Sequence, residues 1–261
     1  NKRKLERISR KKFGYFRSEE AQFNEITETL KIENNRHPLV FLLEAADDIA
    51  YSVSDIEDGC KKKIITKDIL IDTIEKTLSG NEAKKQKDLI SKIESELPMN
   101  HPSRFTLLIQ RFRIKSHSDM LKSATRCYLK NYKDILSGNF DVDLILNSDA
   151  AELRELFKTL GDINFNHESV IKREIAGQAA LKFHLETFAS VLFSKNLNNR
   201  KSFESKLINF ISKNYRFIHE NYEKYPNPDY KKLLLLTDFI SGMTDSFAIK
   251  LYHHLSGIAP Y

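Results

Sequence analysis

The chain has no tryptophan and only two cysteines, and it is poor in the residues that interrupt regular structure. Glycine occurs 8 times and proline 6 times in 261 residues. Cys60 and Cys127 lie far apart and form no CxxC motif, so we expect free thiols in a reducing compartment. No apolar run approaches the roughly 18 residues that a membrane-spanning helix needs. These absences exclude disulfide-rich and membrane-spanning classes and predict a soluble, cytoplasmic protein.

The residues present in quantity favour helices. Apolar residues make up 41% of the chain and charged residues 30%, and Lys, Glu, Leu and Ile all have good helix propensity. Only residues 140–147 show a weak strand-like alternation, so the pattern predicts an all-α fold. The predicted helices cover about 18–31, 38–58, 66–78, 81–97, 104–132, 149–160, 167–195, 201–223, 229–241 and 244–256.

The net charge of +6 mildly favours binding to polyanionic partners. Part of it comes from a basic run at residues 2–12, which has no initiator methionine before it. We therefore expect the chain to be part of a longer polypeptide. No aromatic residues alternate with these cations as in single-stranded nucleic-acid platforms, so a solvated segment is favoured and single-stranded DNA stays an alternative partner.

The most informative stretch is residues 44–55, inside the second predicted helix. Asp47, Tyr51 and Asp55 follow one another at intervals of about 40°, so their side chains share one side of the helix. Such acids usually mark a solvated surface. Here the context is apolar, which favours a polar ligand because buried, unpaired carboxylates are costly. An adjacent stripe is expected to pack inward: Leu39, Leu42, Leu43, Ala46, Ile49, Ala50, Val53 and Ile56.

Three motifs in order, Arg36-His-Pro-Leu39, Glu44-Ala-Ala-Asp-Asp-Ile-Ala-Tyr51 and Asp55-Ile-Glu-Asp58, resemble the signature of the bacterial deoxyguanosine triphosphate triphosphohydrolases. These enzymes belong to the HD-domain dNTP triphosphohydrolases. The lead-in Lys11-Lys-Phe-Gly-Tyr-Phe16 and the C-terminal residues 233–257 resemble the same family. The resemblance implies a multi-helix HD-domain-type bundle with a C-terminal helical extension. Residues 1–136 would form the C-terminal part of the catalytic core and residues 137–261 a C-terminal helical region.

The same resemblance implies a reaction and roles for three residues. The family hydrolyses dNTPs, with dGTP preferred or a broader range, to a deoxynucleoside and tripolyphosphate, using a divalent metal such as Mg²⁺ or Mn²⁺. Asp47 would be the final metal ligand, Tyr51 would pack on the deoxyribose, and Asp55 would accept a hydrogen bond from the 3′-hydroxyl. Bacterial relatives imply a homo-oligomer, and a hexamer in particular.

The sequence departs from the family pattern in its histidines. None of the 8 His residues is followed by Asp, so the metal-binding His and the His-Asp pair are missing, and no catalytic residue is assigned within this chain. We expect a C-terminal portion that is inactive alone. One alternative is a catalytically inactive helical module that binds nucleotide or nucleic acid, and another is a structural bundle with an accidental acidic side.

Two weaker candidates lie on later helices. Arg111, Arg113 and Lys115 cluster on one predicted helix and are tentative triphosphate ligands, although a solvated or subunit-facing basic strip explains them as well. His253 and His254 are adjacent, so they point about 100° apart and make a poor pair of metal ligands.

Overall fold

A computed structural model describes residues 14–32, 35–195, 201–221 and 227–258. The basic run at residues 2–12 and the start of the lead-in motif lie outside the described residues. Within the described ranges the chain forms α-helices and no β-strand, so the all-α prediction is confirmed. The helices are α1 (Glu20–Leu30), α2 (Pro38–Lys61), α3 (Lys67–Thr77), α4 (Gly80–Ser95), α5 (Arg104–Lys130), α6 (Tyr132–Leu136), α7 (Ala151–Phe165), α8 (Glu168–Leu192), α9 (Phe203–Leu207), α10 (Lys213–Asn221), α11 (Pro228–Ser241) and α12 (Asp245–Leu255).

Side-chain caps and prolines begin several of these helices. Pro38 is the first residue of α2, and the Nδ1 of His37 accepts a hydrogen bond from the Leu39 amide at 3.3 Å. Thr66 and Thr244 cap α3 and α12 through their hydroxyls, each at 3.3 Å from a backbone amide. Such caps satisfy amides that have no partner within the helix. The helix starts predicted at these residues are therefore confirmed.

Residues 140–147 connect two helices without a strand, and the Asp143 carboxylate accepts a hydrogen bond from the Ile145 amide at 2.9 Å. Two helix predictions were wrong. α2 continues past Gly59 to Lys61, and a Cβ at Gly59 would lie only 2.6 Å from Ile65 Cδ1, so this glycine allows close packing and does not end the helix. The helix predicted over 201–223 is broken into α9, a 3-10 turn and α10.

The chain divides into two units, and the first ends at His167. At its centre α2 packs against α5 and α7, and α3 and α4 complete the layer around it. The predicted domain boundary after residue 136 stays a prediction. α7, which follows it, packs its buried Leu156, Phe157 and Leu160 into the core of the first unit. Phe157 stacks on Phe112 of α5 with ring centroids 5.9 Å apart. The first unit therefore holds all the candidate site residues of α2 and α5.

The second unit begins at Glu168. Here α8 packs against α11 and α12, and α10 packs against α11. Phe188 and Phe239 meet edge to face at 5.0 Å in its core, and a ring nitrogen of the buried His184 lies 2.8 Å from the Ala248 carbonyl oxygen.

Two expectations from the composition can be compared with the fold. Cys60 and Cys127 are both buried free thiols, as predicted, and burial raises the pKa of Cys60 to about 12. Neither is therefore a ready nucleophile. In the described part of the chain, none of the helices is both long and apolar enough to cross a membrane.

Candidate functional site

The predicted site residues lie on the outer side of α2. Asp47 is exposed, Tyr51 is 67% exposed, and Asp55 is half-buried. α2 is a single uninterrupted helix over these positions, so successive members of the set are about 6 Å apart along its axis. The roles of these three residues toward metal and nucleotide stay predictions. Their exposure leaves room for a ligand at Asp47 and Tyr51.

The two adjacent aspartates of α2 have different surroundings. Asp48 receives two hydrogen bonds from Arg154 of α7, Nε to Oδ2 at 2.8 Å and Nη2 to Oδ1 at 3.1 Å. The hydrogen bond that Arg154 donates to Asp48 is the main cause that raises the pKa of Arg154. This two-point contact fixes the rotation of α2 about its axis at this turn. Asp47, one residue earlier, consequently points away from α7 toward solvent.

A second ion pair holds the start of α2. The Arg36 side chain is 4% exposed, and its guanidinium donates to both oxygens of Glu44 at 2.6 and 2.5 Å. Glu44 precedes Asp47 by about one helical turn, on the neighbouring part of the helix surface. The bidentate geometry is directional as well as charged, so it orients this turn of α2 against the segment that precedes the helix.

A third contact holds the opposite edge of α2. Arg113 Nε of α5 lies 3.0 Å from Glu57 Oε2, although this nitrogen makes no hydrogen bond of good angle. The contact is therefore an ion pair held by charge attraction alone. Glu57 also binds Lys61 at 2.8 Å. The pKa of Glu57 is lowered, first by the hydrogen bond from Lys61 and then by the charges of Arg113 and Lys61, against the opposing effect of burial.

Asp55 lies at the seam between α2 and α7. Its carboxylate Oδ2 and the Phe165 ring each lie 3.8 Å from the position of a Cβ at Gly161, and Asn164 donates to the Asp55 carbonyl at 3.4 Å. The pKa of the Asp55 carboxyl is raised, mainly by burial and further by the charge of Asp58, while Lys62 lowers it. A carboxylate that has lost part of its water is a good acceptor for a ligand hydroxyl.

The apolar stripe of α2 does not pack inward as a whole, which corrects the prediction. Ile49, Val53 and Ile56 are buried in the core. Leu39 and Leu43 are exposed, Leu43 by 69%, and so are Ala46 and Ala50. The stripe spans more of the helix circumference than one packing partner can cover, so it forms two sides. We call Leu39, Leu43, Ala46 and Ala50 the outer apolar strip of α2. It adjoins Asp47 and Tyr51.

The three cations of α5 are each paired with a carboxylate. Arg111 lies 3.3 Å from Glu96, and Lys115 lies 3.1 Å from Asp119. Arg113 contacts Glu57, which is ten residues, or roughly 15 Å, beyond Asp47 along α2. The structure therefore does not bring these cations together around Asp47. Their role as triphosphate ligands stays a prediction.

The described residues do not form a complete metal site by themselves. No group of three or more His, Cys, Asp or Glu side chains suited to a cation occurs in the described ranges. Asp47 can offer carboxylate oxygens, the ligands that Mg²⁺ and Mn²⁺ prefer. Asp48 is already held by Arg154. This part of the chain fits one ligand of a cation.

Sequence reasoning missed the contribution of α7. Arg154 orients α2 through Asp48, and Gly161 and Phe165 border Asp55. No local pattern could have revealed these contacts, because Arg154 and Asp48 are 106 positions apart. The Arg36–Glu44 pair spans only eight positions. Its two residues both belong to the quoted motifs, so a charge pair could have been inferred from their order.

Comparisons with known proteins identify relatives along almost the whole chain. No family model matches it. Proteins named deoxyguanosinetriphosphate triphosphohydrolase-like protein from Listeria monocytogenes and Listeria innocua are each 32% identical over 263 aligned residues, which cover 97% of this chain and 56% of the relative. A protein of the same name from Synechocystis is 30% identical over 261 residues, 96% of this chain and 53% of the relative. The chain thus spans about half the length of these relatives.

Proposed function

The chain belongs to the family of deoxyguanosinetriphosphate triphosphohydrolase-like proteins, and from that premise we propose that α2 supplies the deoxyribose-binding side and one metal ligand of a dNTP triphosphohydrolase site. The reaction would release a deoxynucleoside and tripolyphosphate from a dNTP. The observation that carries the proposal is the order of Asp47, Tyr51 and Asp55 along one uninterrupted helix, with the first two exposed.

Each of the three residues would have a separate task. Asp47 would bind a divalent cation, Mg²⁺ or Mn²⁺, which when bound polarises a phosphoryl oxygen and acidifies water. The Tyr51 ring would lie against the deoxyribose and exclude a 2′-hydroxyl. Asp55 would accept a hydrogen bond from the 3′-hydroxyl. The ion pairs of Asp48, Glu44 and Glu57 support this arrangement, because they hold α2 on both edges and leave the side between them open.

The outer apolar strip of α2 would be covered in the assembled enzyme. Exposed Leu39 and Leu43 beside the candidate ligands are an unusual surface for an isolated site. We propose that the remaining metal ligands come from the part of the family's length that this chain does not span, packed on this strip. With Asp47 as the single assigned ligand, the chain alone would be inactive toward dGTP.

Substitution of Asp47 in a protein of the relatives' full length that carries this chain tests the proposal. We expect Asp47→Asn to lower metal-dependent release of tripolyphosphate from dGTP by more than about 100-fold, since even the hydrogen-bond partners of metal ligands are worth 10–100-fold. The matched control is Asp68→Asn, an exposed aspartate of α3. Wild-type turnover by Asp47→Asn would refute the role of Asp47, and tripolyphosphate release by the chain alone would refute its incompleteness.

Tyr51 gives an independent test of sugar recognition. Tyr51→Ala would open space beside the ribose, so we expect the ratio of kcat/KM for dGTP over GTP to fall by about tenfold or more. Tyr51→Phe keeps the ring and should keep that ratio. Equal discrimination by the alanine variant would remove Tyr51 from the sugar site.

A non-catalytic module that binds a nucleotide or nucleic acid is the second candidate. One observation favours it, namely that the described residues form no group of three metal-ligating side chains. Such a module would bind dGTP or single-stranded DNA without turnover in the full-length protein. Calorimetric titration of both ligands, beside the tripolyphosphate assay, separates the two functions.

A further inference from the structure

α2 and α7 lie side by side and run in the same direction. Arg154 of α7 pairs with Asp48 of α2, and Gly161, seven residues after Arg154, lies beside Asp55, seven residues after Asp48. Contacts that advance equally along two helices mean that the helices are parallel. α2 ends six residues after Asp55, and α7 ends four residues after Gly161. Both C-terminal ends therefore lie beyond Asp55, on the side away from Asp47.

The Phe165 ring borders the groove between α2 and α7 at this end. Phe165 is the last residue of α7, is 46% exposed, and points within about 20° of Arg154, on the edge of α7 that faces α2. Side chains of a helix lean toward its N-terminus, so the ring folds back over Gly161. Phe165 Cε2 and Asp55 Oδ2 each lie 3.8 Å from the position of a Cβ at Gly161. An aromatic wall therefore borders the Asp55 carboxylate on the α7 side.

The charge around Asp55 is negative. Asp58 is exposed, and it follows Asp47 by eleven residues, which places the two within about 20° of each other around α2. After the larger effect of burial, the charge of Asp58 raises the pKa of the Asp55 carboxyl, and this effect exceeds the opposing one of Lys62. The C-terminal ends of both helices add negative partial charge. A second anion beside Asp55 is therefore disfavoured.

We propose that Phe165 and Asp58 restrict the site to nucleotides whose 3′-hydroxyl is free. The inference rests on the proposed function of α2, in which Asp55 accepts a hydrogen bond from that hydroxyl. A phosphate on the 3′-oxygen would leave no proton for Asp55, would meet the Phe165 ring and would face the Asp58 carboxylate. The rejected class comprises 3′-phosphorylated dNTPs and DNA strands that carry a 5′-triphosphate, because the first nucleotide of such a strand continues through its 3′-oxygen.

Two analogues of dGTP separate the hydrogen bond from the exclusion. 2′,3′-Dideoxy-GTP lacks the 3′-hydroxyl and adds no bulk or charge, whereas the 3′-phosphate of dGTP adds both. In a protein of the relatives' full length that carries this chain, we expect kcat/KM for the dideoxy analogue to lie about tenfold below that for dGTP. We expect kcat/KM for the 3′-phosphate to lie about 100-fold lower still. Inhibition constants against dGTP replace kcat/KM where an analogue is not turned over.

Substitutions of Phe165 and Asp58 should act on the second factor alone. Phe165→Ala opens the end of the groove, so we expect the gap between the dideoxy and 3′-phosphate analogues to narrow about tenfold, with the ratio of dGTP to dideoxy-GTP unchanged. Asp58→Asn should narrow the gap about threefold at low salt. The matched control is Phe247→Ala, a phenylalanine of the second unit that is 48% exposed. Each ratio is taken within one variant, so a lower folded fraction does not change it.

The outcomes are distinguishable from failure of the proposed function. Equal kcat/KM for the two analogues in the wild-type protein, or an unchanged gap in Phe165→Ala, would overturn the exclusion while α2 kept its role. An unchanged gap in Asp58→Asn at low salt would overturn the part assigned to that carboxylate. Turnover of dideoxy-GTP as fast as dGTP would instead remove Asp55 from the sugar site, and the exclusion would fall with it.

Discussion

α2 and α8 are both long helices with exposed leucine or isoleucine, but their ion pairs run in different directions. Besides the Glu57–Lys61 pair within the helix, the ion pairs of α2 reach Arg36 before the helix, Arg154 on α7 and Arg113 on α5. Those of α8 join Lys172 to Glu168 and Lys182 to Glu186, one turn apart on the same helix. Pairs between helices fix the rotation of α2, whereas pairs along α8 leave its polar side chains free to change partners.

The difference teaches that exposed apolar area alone does not indicate what a helix surface does. On α2 the outer apolar strip alternates with an acid and a phenol, which suits a ligand at a fixed distance. On α8 the charged side chains pair with residues one turn away on the same helix, and these pairs hold no second element. The arrangement of the polar groups, and the elements that hold them, separates the two surfaces.

The largest expected effect is the difference in stability between truncating a buried side chain of α2 and truncating an exposed one. Ile49 is 1% exposed, so Ile49→Ala removes buried methyl groups and leaves a cavity, at a cost of about 3 kcal/mol in the free energy of unfolding. Leu43→Ala, on the outer apolar strip, should change it by less than about 0.5 kcal/mol. Urea unfolding measures both. A cost for Leu43→Ala comparable to that of Ile49→Ala would mean that the strip is covered within this chain.

The adjacent aspartates give the next effect. Asp48→Asn weakens the two-point contact with Arg154 and should cost about 1–2 kcal/mol, while Asp47→Asn should lie within about 0.5 kcal/mol of wild type because Asp47 is exposed. A double-mutant cycle with Arg154→Leu would show whether the cost of Asp48→Asn is the pair itself. No coupling between positions 48 and 154 would remove this pair from the account of how α2 is oriented.

A smaller effect of opposite sign is expected on α8. Gly177 lies inside the helix and a Cβ there meets nothing, so Gly177→Ala should raise the free energy of unfolding by about 0.5–1 kcal/mol. Urea unfolding measures the change. A variant less stable than wild type would mean that the Gly177 backbone is packed against another part of the chain.

Helix periodicity and capping residues predicted most of the fold. The starts of α2, α3, α11 and α12 follow from proline, threonine and asparagine at their first positions, because these caps act within a few residues. The break between α9 and α10 was not predicted. Ile211 lies within the break and is fully buried in the second unit, and tertiary packing of this kind leaves no local signal.

Within the candidate site, the sequence predicted the placement of residues on α2 but not the contacts of α2 with other helices. Asp47, Tyr51 and Asp55 could be placed on one side of α2 from spacing, since a helix has a fixed period. The different surroundings of Asp47 and Asp48 could not be predicted, because they depend on Arg154 in a distant segment. The division of the apolar stripe into buried and exposed sides depended in the same way on where α5 and α7 pack.

The smallest expected effect is a difference in how the stabilities of two variants depend on pH. The variants replace Asp55 and Glu57, the two half-buried carboxylates near the end of α2. The folded-state pKa of Asp55 is raised above its usual 3.8, mainly by burial, so its contribution to stability is present below pH 3.8 and is lost as pH rises through the folded value. The pKa of Glu57 is lowered below 4.5 by Lys61 and Arg113, so its contribution is present above pH 4.5 and is lost on acidification. We therefore expect Asp55→Asn to gain stability relative to wild type as pH rises from 3 to 7, and Glu57→Gln to lose it. Parallel profiles from urea unfolding at each pH would mean that both carboxyls have the same surroundings, and Asp55 would no longer differ from an ordinary surface acid.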